Sequence, residues 1–138
     1  MHVKNQLDIS ASPEDIWSNL VHAPDWPTWR RNTTSVQIID GNGQALSKGA
    51  IFYWQTPLTT IKGTVVEFTP NKRLAWKGEI GTSDMYHAWV LQPSNKGCKV
   101  ITEATQRNGI TWLSKYFMAN KIQAYHRKWL EQIKQQVC

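Results

Sequence analysis

The chain has 138 residues, of which 41% are hydrophobic and 19% charged, with eight glycines and six prolines. Those figures exclude a disordered, collagen-like or coiled-coil chain, and no uncharged apolar run approaches the roughly 20 residues that span a bilayer. Net charge is +6, divided as −1 over residues 1–69 and +7 over residues 70–138, although no run of Lys and Arg exceeds two; a basic half steers anionic partners without naming one.

Leu7 and Ile9 alternate with Gln6 and Asp8, which predicts an opening strand ending at Ser10. Ser12-Pro13-Glu14-Asp15 is a helix start: a hydroxyl to cap, a proline suited to the first turn, and two acids at the positive helix end. Ile16, Trp17 and Leu20 carry that helix on, Ala23-Pro24 stops it, and Asp25-Trp26-Pro27-Thr28-Trp29 predicts a second, very short helix.

From Thr34 to Gln106 the pattern has period two. Strands are predicted around 36–39, 50–55, 59–68, 74–80, 85–92 and 98–106, separated by Gly41-Asn42-Gly43, Thr56-Pro57, Pro70-Asn71, Gly81 and Pro93-Ser94-Asn95. Short links between adjacent strands predict an antiparallel meander. After Gly109 a stretch without Gly or Pro, about 110–135, carries Met118, Ile122, Tyr125, Trp129 and Ile133 at helical spacing, a stripe that must be buried.

The expected architecture is α+β, with an antiparallel sheet curved around a long C-terminal helix and two short helices after the first strand. A single domain over 1–138 is expected. The start of the chain, Met1 to Gln6, lacks the apolar stretch of a secretory signal, so the expected location is cytoplasmic. The two cysteines, Cys98 and Cys138, are expected as reduced thiols.

This order of elements is similar to the START-like helix-grip (SRPBCC) superfamily, in particular its polyketide cyclase/dehydrase and lipid-transport group. The resemblance rests on residues 9–17, on Asp25-Trp26-Pro27-Thr28-Trp29, on Gly49 with Phe52 and Trp54, on Pro70 to Trp76, on His87 to Pro93 and on Gly97 to Val100. These are caps, turns and core positions, and the superfamily hosts carriers, receptors and enzymes on one scaffold. The resemblance implies a ligand space between the sheet and the C-terminal helix.

Strand alternation proposes the walls of that space. Phe52, Trp54, Trp76, Met85, His87, Trp89 and Val100 would face it from the sheet, and Met118, Ile122 and Tyr125 from the helix. The 85–92 strand leaves its facing open, because Tyr86, Ala88 and Val90 make a second plausible inner set. Eight tryptophans are more than a small, fully filled core is expected to absorb, which favours flat walls around a hollow. Trp26 and Trp29 are candidates for the cavity mouth, with Arg30 and Arg31 beside them for anionic head groups and transient contact with a membrane surface. The plainer alternative is that both rings clamp the short helix to the sheet.

His87 and Tyr125 are the candidate proton carriers if a reaction occurs, while His87 as a core histidine bonded to a neighbouring hydroxyl is the competing reading. No triad spacing stands around His87, and His2, His22, His87 and His126 show no metal-ligand spacing, so neither metal nor cofactor is expected. The expected function is binding, or transport, of a hydrophobic or amphipathic small molecule. The alternative is a cyclase, dehydratase or hydrolase acting on a hydrophobic substrate. Nucleic acid is not an expected partner, and the sequence does not fix the oligomeric state.

Overall fold

A computed structural model describes residues 2–30, 33–40, 43–57, 59–81, 83–107 and 112–137, with side chains at all of these except 40, 107, 112–122 and 125. Strand β1 (His2–Ile9) leads into helix α1 (Pro13–Val21), a 3-10 turn (Ala23–Asp25) and the four-residue helix α2 (Trp26–Trp29). Strands β2 (Ser35–Asp40), β3 (Ile51–Gln55), β4 (Thr60–Thr69), β5 (Arg73–Ile80), β6 (Ser83–Ser94) and β7 (Gly97–Arg107) follow, and helix α3 (Trp112–Val137) comes last. The fold is α+β. The strands form a seven-stranded antiparallel sheet in the order β1-β7-β6-β5-β4-β3-β2, the expected meander with the first strand added beside the last.

Local chemistry places the first helix as expected. The Ser12 hydroxyl accepts a 3.2 Å bond from the Asp15 amide, Pro13 occupies the first turn, and Glu14 and Asp15 lie at the positive end of α1. Between β2 and β3 the chain is longer than a tight hairpin: Leu46 is buried and its amide bonds the Val21 carbonyl at 2.7 Å, which ties this segment to the end of α1. Gly41 and Asn42 of the expected turn lie outside the described residues. Asn71, with φ 65°, turns the chain between β4 and β5.

The register assigns the two faces of the sheet. Trp76 pairs with His87 and His87 with Ala104, while Leu74 pairs with Trp89 and Trp89 with Thr102. All six are buried. The open question about β6 is thereby answered: Met85, His87, Trp89 and Leu91 face inward, and Tyr86 and Val90 face outward. A bulge does occur, but in β4. The register shifts between Val65 and Glu67, so parity reverses there. Unbroken alternation from Ile61 and Val65 would have turned Glu67 inward; instead Phe68 takes the inner face and packs edge-on against Trp17 at 5.2 Å.

Helix α3 closes the inner face. His126, Trp129, Leu130 and Ile133 are buried, and the buried Asn5 of β1 donates a 3.1 Å bond to the Gln123 carbonyl. Among the described residues no helix is long and apolar enough to cross a membrane.

Candidate functional site

Between α3 and the sheet lies a cluster of aromatic rings. Trp129 stands 5.2 Å from Trp26, 5.3 Å from Trp54, 6.2 Å from Trp76 and 4.8 Å from Trp89, measured between ring centroids. Trp26 also meets Phe52, Trp54 and Trp76 at 5.7–6.1 Å. Many of these pairs are edge-on, the arrangement aromatic quadrupoles prefer. Phe52, Trp54, Trp76, Trp89 and Val100, expected to line a hollow, are buried to 2% exposure or less. A side chain lining an enclosed space large enough for water would retain accessible surface there. Around these residues the rings therefore fill the interior.

The expectation that a core of this size could not absorb the tryptophans is corrected here. Trp17, Trp26, Trp54, Trp76, Trp89 and Trp129 are all buried, and Trp29 is half-buried. Trp26, Trp54, Trp76, Trp89 and Trp129 fit by packing edge-on or tilted against one another. The side chain of Trp112 lies outside the described residues.

Trp26 is likewise not at a mouth. It is fully buried, and its indole N–H donates to the Leu20 carbonyl at 3.1 Å. Pro27 and the short α2 turn point this ring into the sheet, as the clamp alternative expected. Arg30, expected near anionic head groups, is also buried. Its guanidinium lies 3.7 Å from the Trp129 ring centroid and 4.5 Å from that of Trp54, a cation–π sandwich, and its Nη1 donates to Thr33 Oγ1 at 2.8 Å. Thr33 Oγ1 accepts a second bond from the Trp54 indole at 3.0 Å. Arg31 lies outside the described residues.

His87 sits inside the ring cluster with no exposed surface. Its Nε2 lies 2.7 Å from Thr102 Oγ1, and its ring stacks on His126 at 4.5 Å and 16°. Burial pushes the His87 pKa well below the usual histidine range, helped by the positive charge that His126 and Arg30 would place beside it. The partner hydroxyl from Thr102 matches the core-histidine reading. Its Nδ1, and the indole nitrogens of Trp76, Trp89 and Trp129, have no hydrogen-bond partner among the described residues.

Met85 occupies a different setting. It is half-buried at the β5–β6 end of the inner face, opposite Gly78. A Cβ on Gly78 would stand 3.0 Å from the Met85 methyl and 3.2 Å from Ile61, so the glycine leaves room for those side chains to lie over the strand. Beside it a pocket of about 640 Å³ is lined by Lys77, Gly78, Glu79, Asp84, Met85, Tyr86 and Thr105. The five polar side chains share the sheet face turned away from the rings, and the Tyr86 hydroxyl is already fixed by donating to Glu67. Arg73 Nε donates to the same carboxylate at 3.1 Å. Those two bonds, that from Arg73 first, lower the Glu67 pKa.

Three expected residues, Met118, Ile122 and Tyr125, have side chains outside the description. Residues of the cluster that sequence reasoning did not place there are His126 and Thr33, and Arg30, which it placed at a mouth. The signal for His126 was present, since it follows Ile122 by four residues and precedes Trp129 by three on one helix face. Among the described residues, no three of His, Cys, Asp and Glu stand close enough to hold a metal.

A seven-stranded antiparallel meander with a C-terminal helix laid across its inner face defines a START-like, helix-grip protein. The chain belongs to the polyketide cyclase / dehydrase and lipid transport family, whose model matches residues 1–137. No curated protein matches it. Among solved structures it is similar to a hypothetical protein of Helicobacter pylori, with 19% identity, a TM-score of 0.89, and 100% of this chain and 88% of that one covered. It is similar also to a protein of Chromobacterium violaceum, at 13% identity and a TM-score of 0.74, covering 99% and 96%. The di-domain ARO/CYC protein StfQ of the steffimycin biosynthetic pathway matches at 15% identity and a TM-score of 0.81, covering 99% of this chain and 50% of that one. At these identities the likeness is one of fold.

Proposed function

We propose that this protein binds an amphipathic small molecule at the β5–β6 end of the sheet, where the ring packing stops. The observation that carries the reading is the pocket of about 640 Å³ beside Gly78 and Met85, a volume suited to a small organic guest. Met85 supplies a flexible apolar wall able to repack around different shapes. Lys77, Glu79, Asp84 and Thr105 line it with polar side chains from the outer face of the sheet, which favours a guest with a polar end over a plain hydrocarbon. Membership of a family described by polyketide cyclisation and lipid transport agrees with a guest of this class. A reaction carried by His87 draws no support from a ring that is fully buried and held neutral.

The test is a titration with a fluorescent fatty-acid probe, beside native mass spectrometry of the protein as purified. Saturable 1:1 binding is expected, weakened about tenfold in Met85→Trp, whose larger ring occupies the wall. Absence of both saturable binding and a co-purifying mass, in protein that is folded by circular dichroism, would overturn the reading.

A further inference from the structure

The pocket beside Gly78 and Met85 is lined by charges of both signs. Lys77, Glu79 and Asp84 all border it, and among the described residues none of the three forms an ion pair or a side-chain hydrogen bond.

Register explains why these charges stay apart. Lys77 stands directly opposite Tyr86, and the acid within diagonal reach on the neighbouring strand is Glu67, which pairs with Ala75. Glu67 is already taken: Arg73 Nε donates to it at 3.1 Å, and the Tyr86 hydroxyl donates to it as well. Two residues further along, Glu79 stands directly opposite Asp84. Like charges so placed repel, so this pair costs stability unless a cation joins it. Lys62 lies opposite Glu79 on the other side without an ion pair, and Arg107, opposite Asp84, has its side chain outside the described residues.

The two rows are therefore one pleat repeat apart, roughly 7 Å. One row offers the Lys77 ammonium, with the Thr105 hydroxyl further along it, and the other offers two carboxylates. A guest with a lone anion would also meet the acid row, and one with a lone cation would also meet Lys77. A head group that carries both charges on a short linker satisfies the two rows together. We propose that the guest of this pocket is a zwitterionic amphiphile, with its anionic group on Lys77 and its cationic group at Glu79 and Asp84. The inference rests on the binding site proposed above and assigns it a head group.

Calorimetric titration with four amphiphiles that share a dodecyl chain tests this: dodecylphosphocholine, dodecyl phosphate, dodecyltrimethylammonium and dodecyl maltoside, each kept below its micelle concentration. The zwitterion is expected to bind about fivefold or more tighter than each of the others. In Lys77→Gln its advantage over the cation is expected to vanish. In the double variant Glu79→Gln with Asp84→Asn its advantage over the anion is expected to vanish. Circular dichroism is expected to stay unchanged in both, because the three side chains are exposed. Tightest binding of a singly charged or uncharged head, four equal affinities, or a ranking that neither variant shifts would each overturn the zwitterion while leaving a site for an amphiphile in place. No binding of any of the four would overturn both readings.

Discussion

The imidazoles of His87 and His126 lie face to face at 4.5 Å, one from the sheet and one from α3, inside a shell of tryptophans. Such a stack is stable only while both rings are neutral. Burial first, and the Arg30 charge second, hold the His126 pKa at about 4, and the same causes together with His126 push His87 down.

Stability therefore depends on pH in a defined window. In the unfolded chain both rings return to about 6.5, so between pH 6.5 and 4 the unfolded state binds protons that the folded state refuses. Folding stability is expected to be full above pH 6.5 and to fall as the pH drops toward 4, with His126 alone contributing roughly 3 kcal/mol across that range. Urea denaturation at a series of pH values checks this. His126→Phe is expected to flatten the profile, and an unchanged slope in that variant would remove the assignment.

Trp129 is the point at which α3 touches strands β3, β5 and β6 and the short helix α2. Its ring meets those of Trp26, Trp54, Trp76, Trp89 and His87, and lies against Arg30. Trp129→Ala is expected to cost about 3–5 kcal/mol, since it removes a large buried ring and leaves the guanidinium without one of its two faces. Trp129→Phe is expected to cost less than half as much. Thermal melts of the two variants, compared with wild type, measure the difference.

Gly97 makes the β6–β7 turn with φ at 134° and stands where a Cβ would come within 2.5–2.8 Å of backbone atoms of Ile9 and Ala11. Backbone cannot move aside as a side chain does. Gly97→Ala is expected to lose roughly 3 kcal/mol, or about 10 °C in melting temperature. A melting temperature within a degree or two of wild type would contradict the geometry.

Gly63 and Phe52 form a matched pair across β4 and β3. A Cβ on Gly63 would overlap three carbons at the end of the Phe52 ring, which occupies the space the glycine leaves. Gly63→Ala alone is expected to cost about 2–3 kcal/mol through overpacking. Combined with Phe52→Leu, the total is expected to be less than the sum of the single losses, a coupling that a double-mutant cycle reads directly.

Strands were legible because their alternation is strong and their punctuation frequent. The inward sets on β5 and β7 follow from counting by twos, whereas β6 offered two candidate faces until its register with them was known, and Ser12 with Pro13 marks the α1 start. Less was legible at Val66, where one extra residue reverses the parity of β4 with no Gly or Pro to announce it. The sequence Trp26 to Arg31 reads as a short helix followed by two arginines that could serve a cavity mouth, and nothing local reveals that Arg30 is taken up against two indoles contributed from positions 54 and 129. The same blindness affects the interior as a whole. Alternation tells which way a ring points and not whether another ring meets it, so Trp54, Trp76 and Trp89 could be placed on the inner face while the space in front of them could not be judged empty or filled. Met85 differs from them only through the glycine opposite, a relation of register rather than of composition.

The pairing of β1 with β7 joins residues roughly 90 to 100 positions apart, from Ile9 with Cys98 to His2 with Thr105. Strand β1 therefore leaves the ribosome well before the strand it pairs with has been translated. It waits with one apolar side uncovered until nearly the whole polypeptide is available, which makes its late docking the step most exposed to self-association during synthesis.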